Sequence, residues 1–434
     1  MEQLNNIVGR NLADQTKDLL LASLFLPMDR IESTVVTLDT HPERVASIAK
    51  VLEEMIREEK PRFKSKIPHE DFKKVACDRI ADWTKLFGPP TMKQYALLNK
   101  YWSLPLSDVF PDKITPKIIN ELVDCFMVGQ EDYKRKLSTC FYLYLMKNDP
   151  HTADINLPKS NLLVSGPSGS GKTYGMQVLA RHFNVPCIFI SCNNLVPEGI
   201  IGSSISDYFT EAYLNLNETD EERAKEYLSR AIVCLDEMDK PISSYFGETI
   251  FNEILSLIDD NGKIRFGKSF SSGSKQLTIP TKKMMFVFTG FFSGLEKIRK
   301  GNPLGFQKAD ITHGEPKPLS STDLIEYGLK PEIVGRIQNY TSVKLLSETE
   351  LCEALESKLD SPLADYCNYF SLNGIETVFT KEAVEYVAQI AHERQLGVRG
   401  LKSILDSVFT NDMYGLPANN RLEVTREYVE RHIN

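Results

Sequence analysis

Residues 166–173 read Gly-Pro-Ser-Gly-Ser-Gly-Lys-Thr, directly after the apolar run Leu162-Leu163-Val164. A strand that ends in a glycine-rich loop, with Lys and Thr opening a helix, makes a cradle for an anion. Gly166, Gly169 and Gly171 let backbone N–H groups turn inward where a side chain would block them. The helix expected to begin near Lys172 adds unpaired N–H groups and the positive end of its dipole. Lys172 can reach the β- and γ-phosphates, and the Thr173 hydroxyl can ligate Mg²⁺. Pro167, Ser168, Ser170 and Tyr174 complete the stretch expected to wrap the phosphates. A chance glycine-rich turn would not combine this spacing with this context. The chain is expected to bind ATP with Mg²⁺.

The rest of the composition narrows the field. With 434 residues, 42% of them hydrophobic and 25% charged, the chain has the make-up of an ordinary soluble protein with two to four domains. A net charge of −8 argues against nucleic acid as the main partner. The eight cysteines contain no Cys-x-x-Cys pair, so zinc is not expected and reduced thiols in a cytoplasmic protein are. The early apolar run Leu19–Leu26 is broken by Ser23 and stops at Pro27, far short of the roughly 20 residues a membrane span needs. Glu2, Asp14 and Asp18 make the start too acidic for a transit peptide.

Three regions differ in pattern. Residues 1–114 read as all-α: a stripe of Val45, Ile48, Val51, Leu52, Met55 and Ile56 follows Pro42. A second helix carries Phe72, Val75, Ile80, Trp83 and Leu86 up to Gly88, and a third runs from Met92 to Trp102. These stripes read as core, and the segment's role is open, docking of adaptors or substrates included. Residues 115–337 alternate helices with apolar strands, placed at Asn161–Ser165, Cys187–Ser191, Ala231–Asp236 and Met284–Thr289, which implies a parallel sheet covered on both faces. Residues 338–434 read as a smaller, mostly helical domain. Ser347-Glu348-Thr349-Glu350 opens a helix there with a capping box, Val378-Phe379 is a candidate strand, and a helix follows Thr380. Lys308–Ser321, with two prolines and few apolar residues, reads as a loop.

The strand Ala231–Leu235 ends in Asp236-Glu237. Open α/β sheets bind ligands at the carboxyl ends of their strands. Asp236 is suited to the Mg²⁺ shell, directly or through water, and Glu237 to orienting and polarising an attacking water. A glutamate in that place favours hydrolysis over transfer to a second substrate.

Met127-Val128-Gly129-Gln130, the phosphate loop and Leu235-Asp236-Glu237-Met238-Asp239-Lys240 resemble an AAA+ ATPase. The stretches Thr322–Arg336 and Gly397–Ile404 are similar to those of the ClpX-type unfoldases of the Clp/Hsp100 family. The resemblance covers roughly 115–417 and implies a large ATPase domain, a small lid domain and a homo-hexameric ring. It places Met127 and Val128 at the adenine, Arg336 as an arginine finger acting on the neighbouring subunit's γ-phosphate, and Arg399 as the sensor of the small domain. For both arginines the alternative is a surface ion pair. Thr289 is either a group near the γ-phosphate or a hydroxyl satisfied within its own strand end.

The resemblance also implies where force is applied. Gly199-Ile200-Ile201-Gly202 falls where the family carries its substrate-gripping pore loop, with Ile200 in place of the usual aromatic; the alternative is an ordinary connecting loop. Leu304-Gly305-Phe306 falls where the family docks onto a ClpP-like peptidase; the alternative is that Leu304 and Phe306 tuck into the protein's own core. The family's N-terminal zinc-binding domain is absent, and Gly267–Lys275 carries only Lys268 and Lys275 as charges. Expected partners are therefore protein substrates, a ClpP-like peptidase and copies of the chain, with no nucleic acid and no membrane. The rival readings are a remodelling chaperone without a peptidase and a nucleotide-gated scaffold with slow hydrolysis.

Overall fold

The computed structural model describes residues 21, 23–26, 54–58, 60, 69–109, 114–152, 155–158, 160–197, 202–216, 218–267, 276–299, 318–356, 358–417 and 419–433. The chain divides into two compact units: Met1–Cys125 with Arg181–Asn184, and Phe126–Ala180 with Val185–Asn434. No helix among the described residues is long and apolar enough to cross a membrane.

The described residues of the first unit are mostly helical. His69–Phe87 ends just before Gly88, and Met92–Trp102 starts at Thr91, whose side chain accepts from the Gln94 N–H while the Gln94 side chain accepts from the Thr91 N–H. Such reciprocal caps satisfy two of the N–H groups a helix start leaves orphaned. Phe72, Ile80, Trp83 and Trp102 are buried, and the ring of Phe25 lies 5.2 Å from Phe72 and 4.9 Å from Trp102. Phe72, Ile80 and Trp83 of the second expected helix are thus core, as read, while Val75 is half-buried and the Leu86 side chain lies outside the described ones. The stripe after Pro42 lies outside the described residues up to residue 53; Ile56, at its end, is buried.

The second unit is built on a five-stranded parallel sheet. Its strands are β1 (Leu162–Ser165), β2 (Cys187–Ser191), β3 (Ile232–Asp236), β6 (Met285–Gly290) and β7 (Asn339–Ser342), in the order β2-β3-β6-β1-β7. All four expected strands form, each within one residue of its expected ends. The register sets Ser191 against Asp236, and Val164 against both Thr289 and Thr341. Burial on both faces explains the unbroken apolar runs of β1, β3 and β6. From one face Leu163, Ile190, Leu235 and Phe288 join a core with Phe209, Ile254 and Ile333. A separate antiparallel pair, β4 (Lys263–Phe266) with β5 (Leu277–Pro280), packs Ile264, Phe266, Leu277 and Ile279 into the same core.

Residues beyond 342 make a second core from Leu351, Phe370, Val387, Leu405 and Phe409. It holds the helices Glu348–Glu356, Pro362–Leu372, Lys381–Glu393, Gly397–Tyr414 and Arg426–His432, and a parallel pair of β8 (Glu376–Phe379) with β9 (Arg421–Val424). The expected capping box is present: the Ser347 hydroxyl accepts from the Glu350 N–H, and the Glu350 carboxylate accepts from the Ser347 N–H at 2.8 Å.

Candidate active site

β1 delivers the chain into the glycine loop, with Gly169 at φ 75° and Gly171 at φ 87°. Both angles lie in the left-handed region that glycine enters freely. A Cβ on Gly166 would collide with the Val343 carbonyl oxygen, and one on Gly169 with that of Leu396. The helix after the loop begins at Tyr174, two residues beyond Lys172. Gly171–Thr173 form a turn closed by a bond from the Tyr174 N–H to the Gly171 carbonyl at 3.2 Å. Such tight first turns are common at helix starts. The Lys172 ammonium donates to the carbonyls of Gly166 (2.8 Å) and Pro167 (2.6 Å), and buried Tyr133 donates to the Lys172 carbonyl at 2.6 Å. Burial draws the Lys172 pKa below its ordinary value, opposed by the nearby Asp236 carboxylate and aided by Arg399. The Ser170 hydroxyl donates to the Pro167 carbonyl at 2.7 Å, closing the loop on itself.

The carboxyl ends of β2, β3 and β6 bring the acids to the same edge. Thr289 Oγ1 donates to Asp236 Oδ1 at 2.5 Å, and the Glu237 N–H donates to the same oxygen at 2.9 Å. Thr289 is thus a strand-end hydroxyl whose partner is Asp236. Glu237 is a non-glycine residue at φ 57°, an arrangement that costs free energy and recurs at functional sites. Ser191 Oγ, from the end of β2, lies 3.4 Å from Glu237 Oε2. Asp239 Oδ1 accepts from the Phe291 N–H at 3.2 Å, and the Met238 N–H donates to the Thr289 carbonyl at 2.9 Å. Buried Cys234, in the middle of β3, has its thiol pushed well up by desolvation.

The C-terminal core contributes directly to the cradle. Arg399 Nη1 donates to Ser168 Oγ at 3.3 Å, and the Val398 N–H donates to the Gly169 carbonyl at 3.1 Å. Tyr174 donates to Asp360 Oδ2 at 3.0 Å. Met127 and Val128 are buried, with Met127 beside Gly171 and Gly175 and Val128 within the C-terminal core. Arg336 sits elsewhere, on the helix Pro331–Ile337, where Nη2 meets Asp259 Oδ1 at 3.3 Å. Gly202 is described, immediately before Ser203, which bridges to Leu195. Gly199, Ile200 and Ile201 lie outside the described residues, as do Leu304, Gly305, Phe306 and 268–275.

The donor set suits a magnesium–nucleotide. Asp236 and Thr173 offer the oxygen ligands that a hard cation takes. Both hydrogen bonds to Asp236 fall on Oδ1, so Oδ2 carries neither. Sequence reasoning missed Ser191, Tyr133 and Asp360. Ser191 was visible as a polar end to an apolar strand, but its meaning depends on β2 lying beside β3.

A family model for the AAA domain (Cdc48 subfamily) matches residues 157–340, which span the loop, the acids, Thr289 and Arg336. The chain is similar to the ClpX ATP-binding subunits of ATP-dependent Clp proteases. It is 28% identical to that of Borrelia duttonii over 341 residues, covering 73% of this chain and 78% of the relative. It is 28% identical to that of Porphyromonas gingivalis over 344 residues (74% and 82%) and 28% to that of Treponema denticola over 367 (79% and 84%). The parallel sheet and the cradle with two acids at its edge thus lie within a stretch that matches an AAA domain, and over about three quarters of its length the chain is similar to ClpX ATP-binding subunits.

Proposed function

We propose that the chain is an ATP-driven protein unfoldase that works as a homo-hexameric ring and passes polypeptides to a ClpP-like peptidase. The observation that carries this reading is the meeting of Lys172, Asp236, Thr289 and Glu237 at one sheet edge, with Arg399 of the C-terminal core on the same loop. A cation and two acids around a glycine cradle are parts that hydrolyse a triphosphate.

In this reading Lys172 and the loop N–H groups hold the phosphates, while Thr173 and Asp236 hold Mg²⁺. The metal, when bound, offsets negative charge on the phosphates. Thr289 and the Glu237 N–H fix Asp236, and Glu237 takes a proton from the attacking water, oriented by Ser191. Arg336 serves the next subunit, and Arg399 links the small domain (338–434) to the nucleotide held by the large one (115–337). Met127 and Val128 line the base. Closure of the two domains on ATP moves the loop Gly199–Gly202 along a pore, and Leu304-Gly305-Phe306 docks the ring on the peptidase.

The test uses a folded fluorescent reporter carrying candidate tags, incubated with the protein, ATP and Mg²⁺. Loss of fluorescence that needs ATP and disappears in Glu237→Gln is the expected result. ATP turnover without loss of signal for any tag would remove the unfoldase reading. For the partner, ClpP should co-purify with the wild-type chain and not with Phe306→Ala.

A further inference from the structure

Arg336 is held at two points, and neither belongs to the phosphate loop. Its main-chain carbonyl accepts from the side-chain amide of Asn161 at 3.2 Å. Asn161 is buried and immediately precedes β1; its Oδ1 accepts from the Phe286 N–H at 3.2 Å, and its own carbonyl accepts from Asn339 Nδ2 at 3.0 Å. Asn161 thus ties β6 and the Arg336 backbone through its side-chain amide, and Asn339 at the start of β7 through its main-chain carbonyl, to the foot of the phosphate-loop strand. The second point is the side chain. Arg336 Nη2 meets Asp259 Oδ1 at 3.3 Å, and Nη1 points back to the Glu332 carbonyl at 3.4 Å.

Asp259 is the C-cap residue of the helix Gly247–Ile258, which follows Asp236 and Glu237 in the chain after the short turn Pro241–Ser243. The same helix also receives Lys330, at 3.5 Å from Glu248 and 3.4 Å from Asn252. The helix that leaves the hydrolytic acids is therefore clamped at both ends to the helix that carries Arg336. The Arg336 side chain remains over a third exposed, at 37%, and that of Asp259 is about half exposed. The guanidinium is aimed by its partner without being buried by it.

We propose that Asp259 is a positioning residue for Arg336: it aims the guanidinium at the active site of a neighbouring copy and links that aim to the helix following Asp236 and Glu237. The proposal rests on the ring reading above, in which Arg336 acts in trans. A flexible arginine free to sample all its rotamers spends little time in the one orientation useful to the neighbour, so a carboxylate that narrows the choice raises the rate without touching substrate.

The test is a mixing experiment with the full chain. Arg336→Ala subunits keep Glu237 but offer no arginine; Glu237→Gln subunits offer the arginine but cannot hydrolyse. Mixed before ATP is added, they should regain ATPase activity at the seams between unlike subunits. Asp259→Ala is then introduced into one parent at a time, with ring size checked by sedimentation. In the arginine-donating parent it should lower the regained rate by about two- to tenfold, and Asp259→Glu should restore part of it. In the Arg336→Ala parent it should leave the rate unchanged. Equal loss in both arrangements, loss in neither, or loss only in the Arg336→Ala parent would overturn the role of Asp259. Failure of the two parents to regain any activity, with rings intact, would instead overturn the trans action of Arg336 on which the role depends.

Discussion

Thr289 Oγ1 and Asp236 Oδ1 stand 2.5 Å apart across the neighbouring strands β6 and β3, a short hydrogen bond from a hydroxyl to a carboxylate. Bonds to a charged acceptor contribute more than neutral ones, about 1.5–3 kcal/mol. Thr289→Val keeps the shape and removes the donor. The ATPase rate should fall roughly tenfold or more, with nucleotide affinity changed far less, and Thr289→Ser should recover most of the rate. Steady-state kinetics beside equilibrium binding of a fluorescent nucleotide separates the two effects.

Glu237 is set apart from Asp236 by its left-handed backbone and by its contact with Ser191. Glu237→Gln should bind ATP normally and lose turnover, because an amide accepts no proton from water. Ser191→Ala removes only a long contact and should alter the rate by no more than about fivefold. Single-turnover measurements distinguish the two: a Glu237→Gln rate near wild type would reject its role as base.

Lys172 titrates below the ordinary lysine range because the cradle buries it. The sign follows directly. A lowered pKa means the protein releases that proton at a lower pH than an exposed lysine would, and a deprotonated amine attracts phosphate less. ATP affinity should therefore decline as pH rises on the alkaline side, before the ordinary value of about 10.4 is reached. Lys172→Ala should bind ATP very weakly at every pH, so a wild-type profile that tracks the mutant's would count against the assignment.

Gly169 and Gly397 approach so closely that a Cβ on Gly397 would stand 2.5 Å from the Gly169 carbonyl oxygen, and Gly397 itself is at φ 59°. Gly397→Ala should destabilise the fold by about 1–3 kcal/mol and weaken nucleotide binding, since loop and lid must separate to admit the side chain. Thermal unfolding with and without ATP reads both effects.

Burial pushes the thiols of Cys140 and Cys187 up to about 12. At pH 8 only about one in 10⁴ of such thiols is thiolate, the reactive form. Alkylation of the folded protein at that pH should mark exposed Cys77 and spare these two, and mass spectrometry after denaturation should find them fully available.

The apolar strands β1, β3 and β6 were legible because a sheet covered on both faces demands unbroken hydrophobic runs, and β2, an edge strand buried only at alternate residues, because its run is apolar and β-branched. β7 was not: its sequence Asn-Tyr-Thr-Ser is polar, as an edge strand permits, and only pairing with β1 makes it a strand. β4 and β5 did carry a signal, the alternation of Lys263-Ile264-Arg265-Phe266 and Leu277-Thr278-Ile279-Pro280, whose inward residues are the buried ones. The cradle and the two acids could be read from spacing because their chemistry is local. The pairs Thr289–Asp236, Ser191–Glu237 and Arg336–Asp259 could not, since each depends on which strands or helices become neighbours in space. Strand order follows from packing across the whole sheet, and nothing within four or six residues encodes it.

Met127 and Val128 are adjacent in the chain yet face different company, the first beside the phosphate loop and the second inside the C-terminal core. A single peptide unit therefore acts as an axle between the wall proposed for the base and the helical layer that bears Arg399. In the proposed function, a swing of that layer would therefore tilt the wall with it, so that opening the lid would also loosen the hold on the purine.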